Sequence, residues 1–105
     1  MRFGLKESVI QSIHSVFDSH PEIEQVIIYG SRAKGNFRNG SDIDLTIIGD
    51  DMDYSTVLKL IGEIDDLLLP YKIDLSLMKH IQNNDLIQHI ERVGKVFYEG
   101  NHENH

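Results

Sequence analysis

Two aspartates one residue apart, Asp42 and Asp44, lie in the run Ser41–Asp42–Ile43–Asp44–Leu45–Thr46–Ile47–Ile48. Side chains of a strand alternate between faces, so the two carboxylates share one face. Ile43, Leu45 and Ile47 share the other and can pack as core. Two neighbouring carboxylates repel unless a cation lies between them. Oxygen-only ligands suit Mg²⁺ or Mn²⁺, which keep several waters and also take phosphate oxygens. Ten residues separate Asp42 from the upstream pair Gly30–Ser31, which follows another strand-like run, Gln25 to Tyr29. Gly30 lets the backbone turn sharply and approach a ligand closely. Ser31 stands where a short helix can begin, with free N–H groups and a hydroxyl that suit a phosphate. Arg32, Lys34 and Arg38 add positive charge nearby. The stretch can therefore supply a phosphate cradle and a divalent-metal site side by side.

Gly30, Ser31, Asp42 and Asp44 resemble the GSx10DxD signature of the nucleotidyltransferase superfamily related to DNA polymerase beta. That pattern adds a third acid on a neighbouring strand, which Asp74 in Lys72–Ile73–Asp74–Leu75–Ser76–Leu77 can supply. The resemblance runs from about Gln25 to Leu77. In its shortness the chain is similar to the minimal nucleotidyltransferases (MNT) of bacteria and archaea, which work beside a separately encoded helical HEPN protein.

The resemblance implies the nucleotidyltransferase fold, with the acids on one edge of its sheet. It implies transfer of a nucleoside monophosphate, AMP from ATP, to a hydroxyl with release of pyrophosphate. Two ions, Mg²⁺ or Mn²⁺, roughly 3.5–4 Å apart would clamp the attacking and leaving oxygens. Asp42 and Asp44 would hold both ions. Asp74 would complete the ion nearest the acceptor and could take the acceptor's proton. Gly30 and Ser31 would hold the β- and γ-phosphates, with Arg32 and Lys34 neutralising the departing pyrophosphate. The partner implied is a HEPN-type, toxin-like ribonuclease. A tyrosine of that partner would accept AMP, and the chain would act as antitoxin. Two alternatives stand beside this one. The first is a catalytically silent nucleotide-binding subunit that neutralises its partner by contact. The second is the nucleotidyltransferase subunit of a two-protein, aminoglycoside-like small-molecule transferase. All three acids and the serine are present, which favours turnover over the silent module.

The elements that must position these residues are legible as hydrophobic patterns. Leu5, Val9, Ile13 and Val16 recur at helical spacing, widened by Ile10 and Phe17, and predict an amphipathic helix over Lys6–Ser19. His20–Pro21 ends it. His14 and His20 read as ordinary surface or helix-end residues. Gln25–Tyr29 reads as a buried strand. A helical turn follows at Ser31–Lys34, and Phe37 is expected to tuck inward and anchor the loop. Asn39–Gly40 signals a turn into the next strand. Asp50, Asp51 and Asp53 are expected to serve the N-terminus of a helix from Tyr54 to Leu69. Val57, Ile61, Ile64 and Leu68 form its main stripe, flanked by Leu58, Leu60, Leu67 and Leu69. Tyr71 to Leu77 is the third strand, with Lys72, Asp74 and Ser76 on one face. Asp74 there serves either as a metal carboxylate or in an ion pair with Lys72. Asn83 or Asn84 caps a last helix carrying Leu86, Ile90 and Val93, and Gly94 ends it. Lys95–Tyr98 adds a short edge strand. This order predicts an α/β or α+β domain, with a small mixed sheet and helices packed on it.

A chain of 105 residues fits one small domain, here residues 1–100. Residues 101–105 are expected to fray. There is no cysteine, hence no disulfide and no thiolate metal site. No run is long and apolar enough to span a membrane, and Met1–Arg2–Phe3 does not open a signal peptide, so a cytoplasmic protein is expected. The net charge of −7 and pI near 5.2 argue against a general nucleic-acid surface. The cations between Gly30 and Gly40 fit a triphosphate better than a duplex.

Overall fold

A computed structural model describes residues 1–100, and the expected frayed tail lies outside them. The chain runs α1 (Glu7–Asp18), β1 (Gln25–Tyr29), α2 (Ser31–Lys34), β2 (Ile43–Ile48), α3 (Tyr54–Asp65) and β3 (Ile73–Leu77). A 3₁₀ turn (Met78–His80), α4 (Asn84–Val93) and β4 (Lys95–Glu99) complete it. The strands form one sheet in the order β3-β2-β1-β4. β1 pairs antiparallel with both β2 and β4, whereas β2 and β3 are parallel. A parallel pair needs a crossover longer than a hairpin turn, and α3 supplies it. This is the mixed α/β architecture expected from the element order.

One face of the sheet builds the core. Val26 and Ile28 of β1, Ile43, Leu45 and Ile47 of β2, and Leu75 and Leu77 of β3 are buried together. Ile10, Ile13 and Phe17 of α1 and Val57, Leu60 and Ile64 of α3 close over them. The opposite face carries Tyr29, Asp44 and Asp74, the alternate positions of the same three strands. α4 lies on that face beside β1. Its end is fixed at Gly94, where an added Cβ would come within 2.7 Å of the Ile27 side chain.

The predicted boundaries of α1 hold to within one residue, but α3 stops at Asp65 rather than Leu69. Pro70 disfavours helix before it, and Leu68 takes a left-handed φ of 55°. Leu68 is therefore 88 % exposed instead of extending the buried stripe. The Asp53 side chain caps α3, accepting from the Thr56 amide at 2.9 Å. Those hydrogen bonds hold its carboxyl below the usual range. The acidic cluster thus serves the helix, as expected, through Asp53. The histidines differ from expectation. The His14 Nε2–H donates to the Phe97 carbonyl at 2.7 Å and ties α1 to β4, and His20 meets Glu63 at 2.9 Å. Tyr98 donates to Asp18 at 2.7 Å, and burial together with that bond pushes its phenol up to about 12.

Candidate active site at the GS turn and the acidic row

Strand register puts the acids together. Tyr29 stands opposite Asp44 across the antiparallel β1–β2 pair, and Asp44 is level with Asp74 across the parallel β2–β3 pair. The three side chains form one row across the sheet. Asp42 lies just before β2, two residues from Asp44, and continues the same face. Asp42 and Asp74 are exposed, whereas Asp44 is half-buried between them. Burial raises the Asp44 carboxyl above its usual range, and the negative charges of Asp74 and Asp42 push the same way. His89 and Lys72 oppose that shift weakly. Beside it the Tyr29 phenol is also raised, by burial first and by Asp44 and Asp74 after it. The row therefore concentrates negative charge faster than the protein balances it. Asp74 makes no ion pair with Lys72 among the described residues. Lys72 instead gives its backbone carbonyl to the Ile43 amide at 2.9 Å.

The turn that precedes the acids is built against Asp44. Gly30 has φ 74° and ψ −155°, a conformation that essentially only glycine adopts. A Cβ added there would stand 2.4 Å from Asp44 Oδ2. Ser31 then opens α2, whose first intrahelical bond runs from the Lys34 amide to the Gly30 carbonyl at 3.1 Å. Ser31 is half-buried and Lys34 exposed. Gly30, Ser31, Asp42, Asp44 and Asp74 thus lie around the ends of β1, β2 and β3, and Lys34 is exposed at the end of α2.

Arg32 departs from the group. It was expected beside a departing pyrophosphate, but it is only 2 % exposed. Its Nε and Nη2 donate to the Ser41 carbonyl at 3.1 and 3.0 Å. Nη2 also reaches the Asn39 carbonyl at 3.3 Å, and Nη1 the Phe3 carbonyl at 2.9 Å. The guanidinium lies 5.2 Å from the ring centroid of Phe37 and 5.1 Å from that of Tyr71. Phe37 does tuck inward, against Gly4 and Arg32. Arg32 therefore fastens the loop to the N-terminal turn and to the entry of β3, and is not available to phosphate. Arg32→Ala should lose about 3 kcal/mol, because three carbonyl groups lose a charged donor. Thermal denaturation should show a melting point lower by roughly 10 °C or more. Arg32→Lys should recover little, since an ammonium cannot span the fork or stack between rings. An Arg32→Ala protein melting within about 2 °C of wild type would refute the clamp.

One residue of this site was not anticipated. His89 of α4 accepts a hydrogen bond from the Gly30 amide, 3.1 Å to its Nε2, and its ring lies edge-on to Tyr29. The signal was present: His89 interrupts the apolar stripe Leu86–Ile90–Val93 on a helix face that must be buried.

Among the described residues, no three His, Cys, Asp or Glu side chains converge closely enough to enclose an ion unaided. Mg²⁺ does not require such a cage, because it uses one or two carboxylates plus waters and substrate phosphates. The donor set here, oxygen-only and short of positive charge, fits that coordination.

The Polymerase beta, Nucleotidyltransferase family matches residues 11–103 of this sequence. The chain belongs to that family. None of the curated proteins matches it in sequence. Among solved structures, it is similar to a chain of a toxin–antitoxin complex with AMP-PNP, at TM-score 0.68 and 23 % identity. That likeness covers 93 % of this chain and 76 % of the other. It is similar also to a chain of the complex of tri-AMPylated Shewanella oneidensis HEPN toxin with MNT antitoxin. There the TM-score is 0.66 at 18 % identity, over 90 % of this chain and 73 % of the other. A nucleotidyltransferase-like structure from Sulfolobus solfataricus, itself of unconfirmed activity, gives TM-score 0.56 at 18 % identity, over 89 % and 78 %. At these identities the likeness establishes the fold, and it agrees with the nucleotidyltransferase family found from the sequence. No helix among the described residues is long and apolar enough to cross a membrane.

Proposed function

We propose that this chain transfers AMP from ATP, with Mg²⁺ or Mn²⁺, to a tyrosine hydroxyl of a HEPN-type partner and thereby acts as its antitoxin. The observation that carries the transferase reading is the level pairing of Asp44 with Asp74, with Gly30 packed on Asp44. The partner and its tyrosine are proposed from the solved complexes, one of which contains an AMPylated HEPN toxin beside an MNT antitoxin. A net charge of −7 supports a protein or small acceptor over a nucleic-acid duplex.

Asp42 and Asp44 would hold two divalent ions, and Asp74 one of them. Metal held by these carboxylates would supply positive charge against the negative charge of the triphosphate. Gly30 and Ser31 would hold the β- and γ-phosphates, Gly30 by the close backbone approach its missing side chain allows and Ser31 through its N–H and hydroxyl. Lys34 would balance charge on pyrophosphate, a role the buried Arg32 cannot share. The acceptor oxygen forms a bond to the α-phosphorus as the bond to the bridging oxygen breaks, and pyrophosphate leaves. The hydroxyl proton passes to Asp74, whose exposure leaves room for an acceptor to approach.

The test is incubation with Mg²⁺ and ATP labelled at the α-phosphate, with and without a HEPN-type protein encoded beside this chain. Label should appear on a partner tyrosine, located by mass spectrometry. Bound ATP with no label on protein would sink protein adenylylation, and label on a small molecule would redirect the acceptor.

A further inference from the structure

We propose that His89 is a positioning residue for the GS turn, holding the Gly30 amide through Nε2 so that the turn keeps its place against Asp44. This inference rests on the nucleotidyltransferase reading of the site. It adds a residue on a different element, 59 positions away in sequence from Gly30.

The argument starts from α4. Its inner face carries Leu86, Ile90 and Val93, and a half-buried imidazole among them needs a partner. The partner is the Gly30 N–H at 3.1 Å. An N–H can donate only to a ring nitrogen that carries no proton. Nε2 is thus the acceptor, and the ring proton of the neutral imidazole belongs on Nδ1. α4 is also held on β1 at other points. Gly94 is pressed against Ile27, and Ile90 is buried. The helix is therefore seated along β1 independently of the imidazole. What His89 adds is one directed bond to the peptide that opens the turn.

That peptide sets where the turn stands. Gly30 holds φ 74° with its Cα packed against Asp44 Oδ2, and its carbonyl takes the first bond of α2 from Lys34. Fixing the amide fixes one end of the φ rotation. The carbonyl, Ser31 and the start of α2 follow from it. Among the described residues, nothing else receives the Gly30 amide. Without the bond, the turn would be free to relax toward the ordinary backbone region and away from Asp44. A displacement of about 1 Å at such a point can lower a rate by about 100-fold.

The experiment combines spectroscopy on the wild-type protein with two variants. Nitrogen-15 NMR of the imidazoles should show His89 with Nδ1 protonated and Nε2 bare, and a Gly30 amide proton shifted downfield by its bond. In His89→Leu the Gly30 amide should move upfield, and turnover should fall about 10- to 100-fold with a smaller change in KM for ATP. In His89→Gln the Oε1 atom can take the place of Nε2, so the Gly30 shift and most of the turnover should return. A wild-type His89 protonated on Nε2 would overturn the proposal, as would a folded His89→Leu protein with unchanged turnover. If His89→Leu does not fold, the wild-type tautomer and His89→Gln still decide. If the wild-type protein transfers nothing, the transferase reading fails on its own, and the tautomer and Gly30 shift still judge the bond.

Discussion

Asp44→Asn is expected to abolish metal-dependent transfer and, in the same preparation, to make the metal-free protein more stable. Both effects come from one cause. Asp44 sits half-buried between two other carboxylates, and its own carboxyl is raised above the ordinary range by burial and then by Asp74 and Asp42. A carboxyl raised on folding binds more protons in the native state than in the unfolded one. Its effect on stability is harmless at low pH and becomes unfavourable as pH rises through the raised value. Asparagine keeps the shape and removes the charge. In chelator at neutral pH the variant should melt above wild type, by a small margin because solvent screens the site. The margin should vanish below the carboxylate range. Added Mg²⁺ should raise the melting point of wild type and do little for the variant. Transfer should fall on the order of 1,000-fold or more, since several kcal/mol of charge stabilisation is removed with the ligand. Transfer at the wild-type rate by Asp44→Asn would sink the metal-site assignment, and lower metal-free stability would sink the repulsion.

The same repulsion explains why the candidate site is legible in the sequence. Acids at alternate strand positions with apolar neighbours between them make little sense in a folding core, so Asp42, Asp44 and Asp74 stand out in a single sequence. The alternation also fixes which face they share. Which strand lies beside which is another matter. The level pairing of Asp44 with Asp74 depends on β3 running parallel to β2, which follows from the α3 crossover and not from any local pattern. Arg32 shows the complementary limit. A cation in a polar loop next to a phosphate-type turn looks like a phosphate ligand. Its burial depends on Phe3, Asn39, Ser41 and Tyr71, which no spacing rule brings together. α3 shows a third kind of limit. Its apolar periodicity continues through Leu68, but the chain must leave the helix early to enter β3, so the last leucines follow the turn instead of the stripe. His89 needed both levels. Its place on an apolar face was visible, whereas its partner, a single backbone amide, was not.

Gly30→Ala is expected to cost more transfer than the same methyl at Gly35 or Gly40, and the comparison of the three separates the reasons. The added Cβ meets two obstacles. The backbone at φ 74° and ψ −155° is one that side chains rarely adopt, and a strain of this kind costs about 1–3 kcal/mol. The methyl would also stand 2.4 Å from Asp44 Oδ2, so either the turn or the carboxylate must move. Gly35 shares the first obstacle without the second, with φ 90° and no atom within 4 Å of its added Cβ. Gly40 has neither. Gly40→Ala should therefore be close to wild type in both stability and transfer. Gly35→Ala should lose stability through backbone strain and keep most of its transfer activity at temperatures where it is folded. Gly30→Ala should lose stability to a similar or greater degree and lose transfer by about 100-fold beyond that, because the displaced atom is a carboxylate oxygen of the proposed metal site. Melting curves and single-turnover rates on the three variants make the comparison. Equal transfer by Gly30→Ala and Gly35→Ala would show that the glycine serves the backbone alone, and that its contact with Asp44 has no part in catalysis.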